Sequence, residues 1–500
     1  MNVTLDTRNM GDYRMFLKIK TLPKYRIHGR SATFPDEYAA ELGLSAKKRS
    51  RKAYTPSPFL FDYQRDIAKM AIRKRKFSLF ADCGLGKTLI YSEFGMHAAR
   101  QMGKGKAILL VSPLMVVRQT MDEYARWYKG RLPIEQVTAH DLKGWLAKGG
   151  GGQWGITNFE ALRDEVDPGR LGCLIVDESS MLKSHYGAWG RTILRLGAGL
   201  EWKMAGTGTP APNDRIEYAN HAVFMDAFPN VNAFLARYFV NRGQKAERWA
   251  LKPHALAPFY RSLSHWSIFL ANPGTYGWRD HAADIPPIHV HIDRVPLTDE
   301  QRAAIQDTTG NLLVTHAGGI GQRSKLGQIA KGSHRGQAIT TNKPAFIKSL
   351  VQSWPKEQTI IWCIYNAEQE QVRQIFPAGD IANISGSTPF DERERLLDDF
   401  KAGRRRILIT KPKILGFGLN LQCATRQVFS GLQDSYESYY QAVKRSNRVG
   451  STRPLNVHIP VTDAEIPMVE TVLAKAHRVQ CDTDEQERIF KTHAFDPDRR

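Results

Sequence analysis

The segment that most narrows the possible folds is Ala81-Asp82-Cys83-Gly84-Leu85-Gly86-Lys87-Thr88. It follows the short apolar run Ser78–Ala81 and opens a helical pattern, Thr88–Arg100. A strand, a glycine turn and a helix in that order form a phosphate loop, the Walker A arrangement. Gly84 and Gly86 let the backbone curl so that N–H groups converge on phosphate oxygens. The start of the helix adds partial positive charge. Lys87 is placed to reach the β- and γ-phosphates of ATP, and Thr88 to offer its hydroxyl to Mg²⁺. Ala81 stands where the usual pattern has glycine; a small residue fits there.

A loop of this kind needs a parallel α/β sheet around it, and the flanking sequence supplies one. Short continuous apolar runs suit strands buried on both faces: Ala107–Ser112, Gly155–Thr157, Cys173–Val176 and Lys203–Gly206. They alternate with helical stretches at Tyr63–Lys74 and Pro113–Tyr128. The run Leu174-Ile175-Val176 ends in Asp177-Glu178, the Walker B pattern. Asp177 would join the Mg²⁺ shell and Glu178 would orient the attacking water. A second alternating block follows, with strands at Thr359–Ile364, Arg406–Thr410, Gln427–Ser430 and Asn456–Pro460. Its helices are expected at Pro389–Ala402 and Ser435–Arg448. Two α/β domains with parallel sheets are therefore predicted, each flanked by helices.

Around them we expect a basic N-terminal accessory segment at 1–57, the first α/β domain at 58–228 and an irregular, aromatic-rich insertion and linker at 229–344. The second domain is expected at 345–475 and a charged C-terminal tail at 476–500, read as a surface helix. Residues 1–60 hold twelve Lys/Arg against five Asp/Glu, including the run Lys47-Lys48-Arg49-Ser50-Arg51-Lys52 before Pro56 and Pro58. That stretch reads equally as a DNA-contacting arm and as a solvated hinge. Gly149–Gly152 mark a loop inside the first block.

Charge bears on the partner. The 500 residues carry 71 Lys+Arg and 50 Asp+Glu, a formal charge of +21. An excess of that size favours a polyanion, because neutralising phosphates releases counterions. No run approaches the ~18–20 apolar residues that span a bilayer, and the N-terminus lacks a secretory pattern. Cys83, Cys173, Cys363, Cys423 and Cys481 are scattered and form no C-x-x-C pair, which argues against a zinc knuckle or a disulfide framework. A reducing, cytoplasmic setting is expected.

Further blocks carry a family resemblance. Tyr63-Gln64 precedes the phosphate loop, and Val111-Ser112-Pro113-Leu114 and Ile156-Thr157-Asn158-Phe159-Glu160-Ala161-Leu162-Arg163 follow it. After Asp177-Glu178-Ser179-Ser180 comes Gly206-Thr207-Gly208-Thr209-Pro210, and Leu297-Thr298-Asp299-Glu300-Gln301-Arg302 lies in the linker. The second half has Ile384-Ser385-Gly386-Ser387 with Arg393, then Lys413-Ile414-Leu415-Gly416-Phe417-Gly418-Leu419-Asn420-Leu421. It ends with Gln441-Ala442-Val443-Lys444-Arg445-Ser446-Asn447-Arg448-Val449-Gly450. In this order, over roughly 58–460, the chain resembles the superfamily-two helicases and, within them, the Swi/Snf-type DNA translocases, in the plain form that phages and prophages carry.

The resemblance implies two RecA-like domains sharing one ATP and Mg²⁺. Gln64 would read the adenine edge, and Gln441, Arg445 and Arg448 would complete the nucleotide site, with Gly416 and Gly418 beside it. Such a guanidinium is worth roughly 10³–10⁵ in rate in other NTPases. Ser112, Pro113, Thr157, Asn158, Ser387, Lys413 and Asn420 would line the nucleic-acid backbone. Thr207, Gly208 and Thr209 would couple hydrolysis to movement. Ser179-Ser180 departs from the family's Ala-His after the acidic pair. The activity implied is an ATP-dependent DNA helicase or translocase; an RNA-dependent helicase and a motor subunit of a restriction or defence assembly are the alternatives.

Overall fold

The computed structural model describes residues 1–6, 8–45, 54–103, 105–129, 131–148, 154–162, 166–183, 187–243, 249–280, 285–309, 320–415, 419–432 and 435–493. The run Lys47–Lys52, the glycines 149–152, Arg163, Gly416 and Gly418 lie outside them. The chain divides into two units, one of residues 1–280 with 481–500 and one of residues 281–480.

The first unit opens with a small antiparallel sheet of β1 (Asn2–Thr4), β2 (Arg26–His28) and β3 (Ser31–Thr33), in the order β1-β3-β2. Helix Met10–Thr21 closes it over Leu5, Ile19, Leu22, Ala32, Phe34, Tyr38 and Leu42. The N-terminal basic segment is thus a folded module with its own core. It is fastened to the rest of the unit by Tyr38, whose hydroxyl lies 2.6 Å from Nδ1 of His265, and by Glu37, which pairs with Lys74 at 3.0 Å.

The large sheet comprises β4 (Lys76–Ala81), β5 (Ala107–Ser112), β6 (Ile134–Gln136), β7 (Trp154–Asn158), β8 (Leu171–Asp177) and β9 (Trp202–Gly206). After a two-stranded ribbon, β10 (Phe239–Asn241) and β11 (Trp249–Leu251), comes its last strand, β12 (Ser267–Leu270). The order is β12-β4-β9-β8-β5-β7-β6, with every pairing parallel. The apolar runs of β4, β5 and β8 are buried almost throughout, as strands covered on both faces must be.

The second unit holds β13 (Ile288–Arg294), a small hairpin of β14 (Ser333–His334) and β15 (Gln337–Ala338), then β16 (Thr359–Trp362) and β17 (Ile381–Asn383). It continues with β18 (Ile407–Thr410), β19 (Arg426–Phe429) and β20 (Leu455–Val461). The order β13-β20-β19-β16-β18-β17 is again parallel at every pairing.

Three expectations need correction. The segment 229–344 is not wholly an insertion: Ser267–Leu270 pairs with the phosphate-loop strand and Ile288–Arg294 pairs with β20. The C-terminal stretch is not a surface helix along its described length. Ile489 and Phe490 are buried in the first unit's core, and Glu487 accepts the N–H groups of Ala271 and Asn272 at the end of β12. The helix expected over Ser435–Arg448 stops at Val443, and the chain then turns toward Gly450, whose φ is +95°. Among the described residues no helix is long and apolar enough to cross a membrane.

Candidate nucleotide site and motor motifs

In a parallel sheet every strand delivers its last residue to the same edge, where ligands bind. In the first unit that edge collects the loop after β4, Ser112 from β5, Asp177 from β8 and Gly206 from β9. Gly84 (φ +88°) and Gly86 (φ +65°) take the left-handed conformations that curl the phosphate loop. A Cβ on Gly86 would collide with the side-chain amide of Gln64. Lys87 begins its helix with its ammonium 3.1 Å from the Ala81 carbonyl and 3.4 Å from that of Asp82. Among the described residues it forms no ion pair.

Gln64 is buried and braces this loop. Its Nε2 donates to the Leu85 carbonyl (3.3 Å) and its Oε1 accepts the Phe61 N–H (3.0 Å), while the Tyr63 hydroxyl also donates to Leu85 (3.1 Å). The structure therefore gives this glutamine a local job in shaping the loop.

Asp177 is the best-supported carboxylate of the site. Tyr91 donates to its Oδ1 (3.1 Å) and Ser112 to its Oδ2 (3.3 Å). Burial, and then the neighbouring Glu178 charge, push its pKa up to about 6 against the pull of Lys87. The carboxylate oxygens of Asp177, aimed at this edge and steadied by Tyr91 and Ser112, are donors of the kind that suit Mg²⁺. Tyr91 and the hydroxyl of Ser112 were not assigned to this site from sequence. The available signal for Tyr91 was its position one helical turn after Lys87. Tyr91 reaches Asp177 only because residue 206 is glycine; a Cβ there would overlap its hydroxyl.

Glu178 has φ +48°, a left-handed conformation that a non-glycine residue adopts at a cost of about 1–3 kcal/mol. The strain turns its carboxylate toward Thr207, whose Oγ1 donates to Oε2 at 3.4 Å. The Thr209 N–H donates in turn to Thr207 Oγ1 (3.1 Å). Glu178 thus touches the Thr207-Gly208-Thr209 turn directly. Ser179 carries its bond elsewhere, to Nε2 of the buried His221 (3.0 Å), whose pKa burial lowers to about 4.

In the second unit, Gln427 ties the arginine-bearing segment to the sheet. It accepts from Trp362 Nε1 (3.1 Å) and donates to the Ala442 carbonyl (3.1 Å) and Ser446 Oγ (2.8 Å). Arg445 is buried, with Nε on the Gln441 carbonyl (2.8 Å), and Gln441 itself reaches Glu437 at 3.5 Å. Arg448 is half-buried and donates to the Leu419 carbonyl at 3.4 Å. Gln422 binds the carbonyls of Arg448 and Val449, joining the Asn420 loop to the arginine segment.

The expected nucleic-acid contacts divide. Ser112 and Thr157 are buried, the first on Asp177 and the second on the Val137 carbonyl (2.7 Å), so neither side chain faces a polymer. Lys413, Asn420 and Ser387 are exposed, while Pro113 and Asn158 are partly so. Arg393 shapes the Ser387 turn through the carbonyls of Gly386 and Thr388, both at 2.7 Å.

A phosphate-gripping sheet followed by an arginine-bearing sheet is the make-up of a helicase-type ATPase of superfamily two. Residues 342–450 match the helicase conserved C-terminal domain. The p41 protein of Acyrthosiphon pisum secondary endosymbiont phage 1 is 24% identical over 443 residues, covering 81% of this chain and 93% of p41. The ATP-dependent helicase fft1 of Schizosaccharomyces pombe is 29% identical over 116 residues, covering 23% of this chain. FUN30 of Saccharomyces cerevisiae is 25% identical over 148, covering 28%. These matches span only 12% and 13% of the two yeast proteins. The Sulfolobus solfataricus SWI2/SNF2 ATPase core, solved in complex with dsDNA, aligns with a TM-score of 0.40 at 17% identity, over 89% of this chain and 97% of that one. The chain is thus similar to superfamily-two helicases of the Swi/Snf type, and its helicase C-terminal domain marks it as a nucleic-acid-dependent ATPase.

Proposed function

We propose that this chain couples ATP hydrolysis to movement along duplex or branched DNA. The observation that carries the reading is the strained Glu178, next in the chain to the buried Asp177, bonded to Thr207 and through it to Thr209. Here the carboxylate that positions water is also bonded to a turn that can report the state of the γ-phosphate. Lys87 and the N–H groups of the loop bind the phosphates, Glu178 orients the water, and Arg445 and Arg448 stabilise the charge that develops on the transferred phosphoryl group. Asp177 and Thr88 would hold Mg²⁺, which would supply neutralisation of the phosphate charge. Loss of the γ-phosphate contacts releases the grip on the strand and permits a step.

The formal charge of +21 supports a polyanionic track. Exposed Lys413, Asn420 and Ser387, with Pro113 and Asn158, are proposed to touch sugar and phosphate, which implies little sequence preference. The test is ATP turnover measured with duplex, four-way junction, single-stranded DNA and RNA. Duplex or junction DNA should stimulate most, and preferential stimulation by RNA would overturn the DNA assignment. Arg448→Ala should keep ATP binding while losing roughly 10³–10⁵-fold in turnover. Equal loss of binding and rate would remove that arginine from the transition state.

A further inference from the structure

The N-terminal module carries a surface that the motor does not use. Helix Met10–Thr21 buries Ile19 and rests Met15 and Phe16 on the module's core. Its outer side exposes Met10 (65%), Tyr13 (42%) and Leu17 (46%). Their spacing of three and four residues puts them in one stripe. Arg14 and Lys18 follow Met10 and Arg14 at intervals of four along one flank; Lys20 lies on the other beside Tyr13. Among the described residues these three cations form no ion pair.

The module's acids are engaged elsewhere. Asp6 pairs with Arg8 (3.2 Å), Asp12 accepts the Asp6 N–H (2.9 Å), Asp36 holds the terminal ammonium and Glu37 pairs with Lys74. The Tyr13 ring lies nearly parallel to Phe16 (20°, centroids 6.4 Å apart), and the Lys20 ammonium sits 5.4 Å from the Phe16 centroid.

We infer that this face binds a single strand of DNA, with phosphates on Arg14, Lys18 and Lys20 and bases on Met10, Tyr13 and Leu17. A duplex offers phosphates to the cations but hides its base faces, so the apolar stripe gains little from it. An unpaired strand offers both, and stacking on an exposed aromatic ring is the usual way to hold one without reading its sequence. The inference rests on the motor reading only in taking DNA as the polyanion. It adds a hold on the displaced or unpaired part of a branched substrate.

The test is anisotropy of a labelled oligo-dT with the full chain. Arg14→Ala/Lys18→Ala/Lys20→Ala should weaken binding at least tenfold and lower the slope of log K against log salt by about 2. Tyr13→Ala should weaken it about 5- to 100-fold, and Tyr13→Phe should restore it. Both variants should keep parental ATP turnover on blunt duplex. Unchanged oligo-dT affinity overturns the inference, as does an equal loss on duplex and single strand. Loss confined to anionic phosphatidylglycerol vesicles, with oligo-dT affinity intact, would reassign the face to a lipid surface. Lys87→Ala separates the two readings: it should abolish turnover while leaving the Tyr13-dependent binding in place.

Discussion

Lys87, Asp177 and Glu178 meet at the carboxyl edge of the first unit's sheet; Lys331, Lys343 and Glu465 meet inside the second. Both bring lysine and carboxylate together, but the first has one lysine to two carboxylates and the second two lysines to one carboxylate. Glu465 is closed on all sides: Lys331 lies 2.7 Å from Oε1, Lys343 2.5 Å from Oε2, and the N–H and hydroxyl of Thr462 also donate to Oε2. Lys331 reaches the Gly327 carbonyl and Lys343 that of Ser430. Burial works against the Glu465 charge, but the two ammonium groups outweigh it and hold its pKa down at about 2. Asp177, by contrast, is held up at about 6, and among the described residues Lys87 hydrogen-bonds to the carbonyls of Ala81 and Asp82. The second cluster spends its charges on the fold, whereas the first leaves them incompletely compensated, as the proposed triphosphate site requires.

The largest expected effect tests the open cluster. Glu178→Gln should cut nucleic-acid-stimulated ATP hydrolysis by about 10²–10⁴-fold, while the thermal midpoint stays level or rises slightly. Removing this charge relieves its repulsion with Asp177 and, among the described residues, breaks no ion pair. Turnover near the parent's would detach Glu178 from the chemistry, and a large loss of stability would erase the contrast with Glu465.

Glu465→Gln is the converse. It leaves two buried ammonium groups without their carboxylate and should cost about 3–5 kcal/mol in denaturant titration of the second unit. Replacing Lys331, Lys343 and Glu465 together by methionine should recover much of that loss, because an apolar cluster needs no pairing. The sign with pH follows from the depressed carboxylate. Its stabilisation is complete above the ordinary value of 4.5 and disappears as the pH falls toward about 2, a loss of about 3 kcal/mol. The methionine variant should not show that step; an identical acid transition in both would mean that other groups govern it.

The first cluster was legible in sequence because it is local. Two glycines, a lysine and a threonine fall within five residues, Gly84–Thr88, just after an apolar strand, and the two carboxylates end an apolar run. The second cluster was not, since its three members come from positions 331, 343 and 465 and meet only after folding. The same reason hid β12 and β13. Ser267–Leu270 is four residues long amid aromatics, and only its pairing with β4 makes it a strand. Ser112 shows the limit of motif reading: the motif placed it at a nucleic-acid loop, but as the last residue of β5 its hydroxyl falls on Asp177 at the end of the neighbouring strand β8. Ile489 and Phe490 sit in a charged stretch, and their burial follows from packing on the first unit's core rather than from any local pattern.

The smallest predicted effect lies on the link leading out of the open cluster. Thr207→Val keeps the shape of the side chain and removes both the bond to Glu178 (3.4 Å) and the acceptor for the Thr209 N–H (3.1 Å). The first bond is long, so its loss belongs at the weak end for a charged acceptor, about 1.5 kcal/mol, or roughly tenfold. If the turn transmits between the ATP site and the track, that tenfold should appear in the ratio of stimulated to unstimulated ATP turnover. KM for ATP should stay near parental, and Thr207→Ser should restore the ratio. A fall in both rates by the same factor would show that Thr207 only holds Glu178 in place, and would locate the coupling elsewhere along the sheet edge.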